Sequence, residues 1–403
     1  MCDPWFTEGA YDGSWYQFPK PQEPVAAIGD VGYIYVSHIH PDHYDPAFLK
    51  SYMRARGPKP VLIAAHEPNF LMGKMQADGV RGTVLAEPMR VGNTVLEIVP
   101  HATDSLSDID SALIVRFETP GREHVVVNVN DIIFDPPMLE KMKAKAPLID
   151  ILLCGYTGAG PYPQTYFDAD DPELVRAAES KKQEFFNRYR RLIGSLSPRA
   201  TVPFAGKYIL GGALAPMNPH RGVADATEVL AFDPKAVVPD DGGTIDTIDF
   251  HARPERRLPY ATEALDRRLA EISRLPMAYE RLMPLQEVHQ LPLRRLLRQA
   301  VTKAIAKSTV DGDYFFAMSL PDGQWALFNT NKNVAPAVSF VDGAKLASIT
   351  PRSEVTVDPR YLFGLLTHVY HWNNAQVGSQ YQTRRFPNQM NRNAENFLNF
   401  LAV

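Results

Sequence analysis

The residues best suited to chemistry lie in one short run, Ser37-His38-Ile39-His40-Pro41-Asp42-His43. Three histidines and one aspartate so close together are costly to place in a core without a purpose, because buried polar groups need partners. Neutral imidazole and carboxylate groups are ligands that suit zinc, iron and manganese. We expect His38 and His40 to converge on one ion, and Asp42 and His43 to point towards a second. The alternative interpretation is a solvated polar loop.

Short apolar runs bounded by turn residues must hold these side chains in place. One such run, 33–36, directly precedes the histidines, and five more occur before residue 155: 61–64, 95–99, 112–115, 125–127 and 149–153. Runs of this length and composition are typical of buried strands. Helical patterns over 46–55 and 136–143 lie between some of them. The mixture predicts an α/β sandwich of mixed sheets.

A long amphipathic helix is predicted to follow, with Asp171 as its cap, Pro172 in its first turn and Gly194 as its stop signal, and then a strand over 200–204. The polar, turn-rich stretch 239–244 is a candidate domain boundary. Helices are predicted beyond it near 261–274, 291–307, 359–368 and 390–401, and strands at 314–318, 325–328 and 338–341. We therefore predict two domains, 1–240 and 255–403, the second being α+β and suited to substrate binding or oligomerisation.

Bulk properties exclude several classes of protein. The chain has 403 residues, which is long for one core, and its net charge of −4 gives no indication of a nucleic-acid partner. Its two cysteines, Cys2 and Cys154, cannot form a disulfide framework or a cysteine-rich metal site by themselves. No signal-peptide pattern and no apolar run of about 18 residues occurs. We expect a cytoplasmic enzyme without membrane contact, acting on a small molecule, that could form a homo-oligomer.

The pattern H-x-H-x-D-H after a strand resembles the signature of the metallo-β-lactamase superfamily. The resemblance implies an αββα sandwich as the catalytic domain, here with a smaller C-terminal α+β domain. It also implies three later ligands: His101 as the third ligand of the first ion, Asp131 as a bridging carboxylate and His220 at the second ion. Asp42 and Asp131 are then the expected catalytic residues.

Each of these assignments has an alternative. His101 could be a surface turn residue, Asp131 a helix cap, and His220 part of a long glycine-rich loop. Three aspartates near His101 could replace or support it, namely Asp104, Asp108 and Asp110.

A closer resemblance is to the CMP-N-acetylneuraminate hydroxylases and their bacterial relatives. It occurs in islands that touch most of the chain: 2–5, 13–15, 37–43, 128–131, 158–163, 203–206, 372–374 and 383–385. That family carries a Rieske iron–sulfur domain, which needs two cysteines and two histidines in paired motifs. No such motif occurs in these residues, so the resemblance implies that electrons come from a separate protein or another reductant.

Two kinds of chemistry fit such a site. In the oxidative interpretation, two iron ions activate dioxygen for hydroxylation of a small polar or nucleotide-linked metabolite. In the hydrolytic interpretation, two zinc or manganese ions hold a bridging hydroxide that attacks a phosphodiester, lactone or amide. The resemblance favours iron and oxidation. A metal-binding scaffold without catalysis is a third possibility.

Several other residues are candidates for substrate binding. Lys207 and Tyr208 could reach a phosphate or carboxylate, and so could a wall formed by Trp372, Asn374, Arg384 and Arg385, since arginine suits bidentate contacts to anions. The small-residue loop 158–161 could let a ligand approach the backbone, or could be a simple tight turn. His368 and His371 could bind metal or, more typically, cap a helix end.

Overall fold

The structure is a computed structural model that describes residues 1–102 and 109–403, so Asp104 and Asp108 lie outside the described residues. The strands are β1 (Trp15–Gln17), β2 (Ile34–Tyr35), β3 (Val61–Ile63), β4 (Gly82–Val84), β5 (Met89–Val91), β6 (Thr94–Ala102), β7 (Ile109–Thr119), β8 (Arg122–Asn128), β9 (Ile151–Gly155), β10 (Ala200–Phe204), β11 (Tyr208–Leu210), β12 (Pro239–Ile245), β13 (Ala252–Glu255), β14 (Phe315–Ser319), β15 (Trp325–Asn329), β16 (Val338–Val341), β17 (Arg352–Val357) and β18 (Tyr381–Phe386). The α-helices are α1 (Ala10–Gly13), α2 (Pro24–Ile28), α3 (Pro46–Arg56), α4 (Phe70–Ala77), α5 (Pro136–Lys145), α6 (Pro172–Leu196), α7 (Thr262–Ile272), α8 (Ala278–Leu282), α9 (Leu293–Ile305), α10 (Gly343–Ala347), α11 (Pro359–Leu366), α12 (Trp372–Val377) and α13 (Arg392–Phe397).

Two sheets pack face to face in the first part of the chain. One has six strands in the order β10-β9-β8-β7-β6-β5, and the other is the parallel set β2-β3-β4. Tyr35 and Leu62 of the small sheet share a buried apolar cluster with Ile98 and Leu113 of the large one. Burying both inner faces against each other removes the apolar side chains from water, which is the dominant stabilising term.

Helices cover the outer faces of both sheets. Tyr52 of α3 and Met75 of α4 are fully buried against the small sheet. Met142 of α5 and Tyr189 of α6 are buried against the large sheet. The layer order is therefore α-β-β-α, and the predicted fold class, the α/β sandwich of a metallo-β-lactamase fold, is confirmed.

Helix α6 begins where the sequence predicts and ends later. Asp171 caps it, its Oδ1 accepting a hydrogen bond from the Glu173 amide at 2.8 Å. The helix continues through Gly194, the predicted stop, and ends at Ser197, which adopts the left-handed conformation with φ of 49°. Glycine inside a helix is unfavourable but tolerated, and here the amphipathic pattern continues to the buried Leu196.

The C-terminal part is built on a five-stranded sheet in the order β16-β15-β14-β17-β18. Leu297 of α9 and Leu365 of α11 are fully buried against it, together with Phe316. The same apolar cluster contains Trp15 and Leu210 from the first part of the chain. The two parts therefore share a core.

The predicted boundary at 239–244 is a strand in the structure. All of it belongs to β12, which pairs antiparallel with β13 through an irregular register between Pro239 and Thr244. Ile245 and Ala252 of this pair pack against Val202 of β10. Pairing of the backbone stabilises a segment whose side chains are typical of a turn. The division into domains 1–240 and 255–403 stays a prediction.

Among the helices of the described residues, none combines the length and the apolar character needed to cross a membrane.

A buried ion pair in the C-terminal sheet yields a first prediction. The Arg385 and Glu395 side chains are 9% and 5% exposed and meet at 3.0 Å, whereas the side chain of Arg384 is 54% exposed and pairs with Asp168 at the surface. We expect Arg385→Ala to lower the free energy of unfolding by about 3 kcal/mol, because it leaves a buried carboxylate unpaired. Arg384→Ala should lower it by less than about 1 kcal/mol. Denaturant titration of both variants measures the difference, and equal losses would contradict it.

Candidate metal centre

Metal-ligating side chains from two loops meet in the structure. The ligand atoms of His38, His43 and Asp131 lie within 4.8 Å of one another. His43 Nε2 lies 3.4 Å from Asp131 Oδ2 and 3.5 Å from Asp42 Oδ2. His38 Nε2 lies 2.9 Å from His40 Nδ1. The histidine run and Asp131 thus bring nitrogen and oxygen donors together at one place.

The local backbone explains why the histidine run can do this. It leaves the end of β2 as a tight turn, in which the amides of His43 and Tyr44 donate to the His40 carbonyl at 3.0 and 2.8 Å. Asp45 then caps α3, its Oδ1 accepting from the Phe48 amide at 2.9 Å. A strand end and a capped helix therefore fix both ends of the run.

Two of the histidines are oriented through the nitrogen that faces away from the group. His38 Nδ1 lies 2.9 Å from Ser37 Oγ and 3.4 Å from Asp110 Oδ1. His43 Nδ1 lies 3.0 Å from Asp3 Oδ2, and Asp3 Oδ1 accepts a hydrogen bond from the Ser37 amide at 2.7 Å. A carboxylate behind a histidine is the usual arrangement around metal ligands, since it fixes the tautomer and the ring orientation.

The structure contradicts the alternative interpretations of His101 as a surface turn residue and of Asp131 as a helix cap. His101 lies on β6, is 7% exposed and pairs across the strands with Asp110, so it is not a surface turn residue. Its Nε2 has no hydrogen-bond partner among the described residues. Asp131 follows β8, and the cap of the next helix is instead Asp135. A buried nitrogen without a partner costs free energy, and binding a metal ion would satisfy it. The donors present fit a divalent metal.

Charge is concentrated at the same place. Burial lowers the pKa of His43, but the carboxylates of Asp42, Asp131 and Asp3 outweigh this and raise it well above the ordinary value. Burial raises the pKa of Asp42 and of Asp131, but the adjacent histidines outweigh this and lower both below the ordinary value. The Tyr11 hydroxyl donates to Asp42 Oδ1 at 2.5 Å. Both carboxylates are therefore ionised at neutral pH and available as ligands.

A cavity of about 980 Å³ opens in front of the group and is lined by Asp42, His43 and Asp131. The Asp131 side chain is 40% exposed. The cavity wall includes Trp15 stacked on Tyr208, with ring centroids 3.4 Å apart. The volume is at the upper end of the range for small-molecule sites.

The predicted substrate residues have different positions. Lys207 and Tyr208 line the cavity, although the Lys207 ammonium is paired with Asp225 at 2.7 Å. Trp372 is buried and donates to the Leu401 carbonyl. The described lining of the cavity does not include the four residues of the proposed anionic wall, namely Trp372, Asn374, Arg384 and Arg385.

The structure does not bring His220 to the metal group. His220 is exposed, with φ of 59°, and lines a second cavity of about 340 Å³. Its loop is held against β11 by the side chain of Asn218. The Asn218 Oδ1 accepts from the Leu210 amide at 2.9 Å, and its Nδ2 donates to the Leu210 carbonyl at 2.8 Å. Gly158 and Ala159 of the small-residue loop line the larger cavity, the one that contains Asp131. The ring of Phe185 packs directly on Gly158, where an added Cβ would lie 1.8 Å from the ring.

Sequence reasoning did not find three residues that contact the group: Asp3, Tyr11 and Asn373. Asp3 lies in the island 2–5 that carried the family resemblance, which was its only signal. Asp110, predicted as a support or substitute for His101, lies opposite His101 in the paired strands, and its carboxylate stands behind His38. Contacts between the motif and residues far from it along the chain follow no fixed spacing, so the sequence pattern does not predict them.

Sequence comparison finds relatives that fit these features. The chain is 28% identical over 265 residues to a putative Rieske 2Fe-2S iron–sulfur protein of Mycolicibacterium smegmatis, covering 62% of this chain and 46% of that protein. It is 23% identical over 218 residues to the cytidine monophosphate-N-acetylneuraminic acid hydroxylase of Danio rerio, covering 52% of this chain and 35% of that protein. The chain thus spans less than half the length of these relatives. No protein-family model matches.

Among solved structures, the chain is similar to a possible metal-dependent hydrolase from Veillonella parvula, with a TM-score of 0.39 and 12% identity over 60% of this chain and 89% of that one. It is also similar to the metallo-β-lactamase fold protein YhfI from Bacillus subtilis, with a TM-score of 0.27 and 15% identity over 43% of this chain and 63% of that one. The predicted resemblance to the hydroxylase-like branch of the superfamily is confirmed. The donor group of the described residues is suited to binding a divalent metal ion.

Removal of single ligands tests the centre. We expect His38→Ala and Asp131→Ala each to lose bound metal while keeping the fold, since each removes one of the converging donors. His220→Ala is the matched control and should keep its metal, because this histidine faces another cavity. Metal analysis with circular dichroism measures the outcome. Full metal content in both ligand variants would contradict the assignment, and loss in His220→Ala would restore His220 as a ligand.

Proton release tests the electrostatics. Because the pKa of His43 is raised, this histidine keeps a proton at neutral pH that a metal ion must displace. We expect Zn²⁺ added at pH 7 to the metal-free protein to release about one proton from His43, and Zn²⁺ affinity to rise with pH above the ordinary histidine range. A pH indicator in weak buffer measures the release. Asp3→Asn should reduce it, and binding without proton release would contradict the prediction.

Proposed function

We propose that this protein is a dinuclear-metal oxygenase of the metallo-β-lactamase fold that hydroxylates a small polar or nucleotide-linked metabolite. The single observation that carries the metal-dependent part is the convergence of His38, His43 and Asp131 at the floor of a cavity. Similarity to proteins named as hydroxylases over about half the chain supports the oxidative part. When bound, two iron ions would supply the redox chemistry that activates dioxygen.

The residues of this chain have defined tasks in that proposal. His38, His40 and His101 would hold one ion, and Asp42 and His43 the other, with Asp131 between them. Burial and the Asp42 carboxylate raise the pKa of the Tyr11 hydroxyl well above its ordinary value. Tyr11 therefore stays protonated and keeps one oxygen of Asp42 occupied as an acceptor.

The cavity wall supplies shape and apolar surface. The stacked pair of Trp15 and Tyr208 forms a flat apolar face, and Phe204 also lines the cavity. An apolar wall beside charged groups suits a substrate with one planar or apolar part and one polar part.

A hydrolase that uses zinc or manganese is the second candidate. Imidazole and carboxylate donors suit these ions as well as iron.

Metal analysis and oxygen uptake separate the two candidates. We expect protein purified without added metal to contain iron, and to consume dioxygen when supplied with ascorbate and CMP-N-acetylneuraminate as the first probe. Asp131→Ala is the matched control and should abolish the uptake. Tightly held zinc, no oxygen uptake with any reductant, and cleavage of bis(p-nitrophenyl) phosphate would overturn the oxygenase and support the hydrolase.

A further inference from the structure

The second histidine of the run, His40, is held by a residue from the opposite end of the chain. His40 Nε2 lies 3.1 Å from the side-chain oxygen Oδ1 of Asn373, which is 333 positions away. Asn373 is half-buried in the first turn of α12. It is therefore the C-terminal counterpart of Asp3 and Asp110, which stand behind the other two histidines.

The surroundings of Asn373 fix its position. His371 caps α12, its Nδ1 accepting from the Asn373 amide at 3.2 Å, as expected of a histidine at a helix end. Trp372 is 3% exposed, and its indole donates to the Leu401 carbonyl at 2.8 Å. A residue between a helix cap and a buried indole has little freedom, so its side chain can define the orientation of a neighbour.

The segment that follows α12 is fastened to the same region. Gln380 Nε2 donates to the Tyr11 carbonyl at 2.6 Å, and Ser14 Oγ donates to the Gly378 carbonyl at 2.5 Å. Tyr11 in turn donates to Asp42. The C-terminal part therefore reaches the donor group by two routes, directly at His40 and through Tyr11.

The chemistry of the contact determines which nitrogen of His40 is available. An amide oxygen only accepts hydrogen bonds, so His40 Nε2 must carry the proton and Nδ1 keeps its lone pair. The carboxylate of Asp110 stands 3.4 Å from Nδ1 of His38, and Nε2 of His38 lies 2.9 Å from Nδ1 of His40. Without a metal ion, a contact of this length is a hydrogen bond in which His38 Nε2 donates to the lone pair of His40 Nδ1. A metal ion bound to both nitrogens would replace that proton.

We propose that Asn373 is a positioning residue of the metal centre, which holds His40 so that its Nδ1 faces an ion shared with His38. The proposal rests on the metal-dependent function proposed above and extends the centre to the C-terminal part of the chain. Asn373 touches neither the ion nor the substrate, and acts only through His40.

Metal affinity in matched variants tests the proposal. We expect Asn373→Ala to weaken Zn²⁺ binding at one of two sites by about 10- to 100-fold, the usual cost of removing a partner behind a ligand. Asn373→Asp keeps an acceptor oxygen and should stay within a few-fold of the wild type. Gln376→Ala, half-buried on the same helix, controls for disturbance of α12 and should bind Zn²⁺ normally. Competition with a chromophoric chelator measures all four proteins.

The tautomer of His40 in the metal-free protein gives a readout that does not need the metal. We expect long-range ¹H–¹⁵N NMR to show the proton on Nε2 in the wild type and in Asn373→Asp, and a mixture of tautomers in Asn373→Ala. A wild-type proton on Nδ1, or unchanged Zn²⁺ affinity in Asn373→Ala, would overturn the proposal. Equal losses in Asn373→Ala and Gln376→Ala would also overturn it. A wild type that binds no Zn²⁺ would instead overturn the proposed function, and the tautomer would still decide the role of Asn373.

Discussion

A buried histidine turns one particular ring nitrogen towards a ligand only when a hydrogen-bond partner fixes its other ring nitrogen. The rest of this site depends on that constraint. Asp3 lies 3.0 Å from one ring, Asp110 lies 3.4 Å from a second and Asn373 lies 3.1 Å from the third. The three partners come from the N-terminus, the large sheet and the C-terminal part. The centre therefore forms only where these three regions meet.

The need to hold the histidine rings in place also explains why the first part and the C-terminal part of the chain share one apolar core. A helix that positions His40 must not move relative to the sandwich, because a displacement of 1 Å is enough to weaken a ligand. Trp15 and Leu210 of the first part are buried in one cluster with the C-terminal apolar residues. A close-packed interior has low compressibility and resists relative displacement of its parts, so the C-terminal part is a structural component of the site.

Charge balance gives a second reason for a cation at this place. Asp3, Asp42, Asp110 and Asp131 surround the histidine rings, and burial disfavours ionised carboxylates that have no compensating charge. The protonated His43 offsets part of that charge in the metal-free chain. A divalent ion bound by these donors would replace that proton. Burial and composition therefore act together in favour of metal binding.

The sequence by itself determined the α/β sandwich, the long helix α6 and the donor run 38–43, because strand length, helix periodicity and ligand spacing are local properties. It also indicated His101 and Asp131 through a family resemblance. Only the tertiary structure decided which partners stand behind the histidines, where the cavity opens, and that His220 and the arginines of β18 lie elsewhere. These outcomes depend on contacts between residues that are tens to hundreds of positions apart, whose separation along the chain follows no periodic rule.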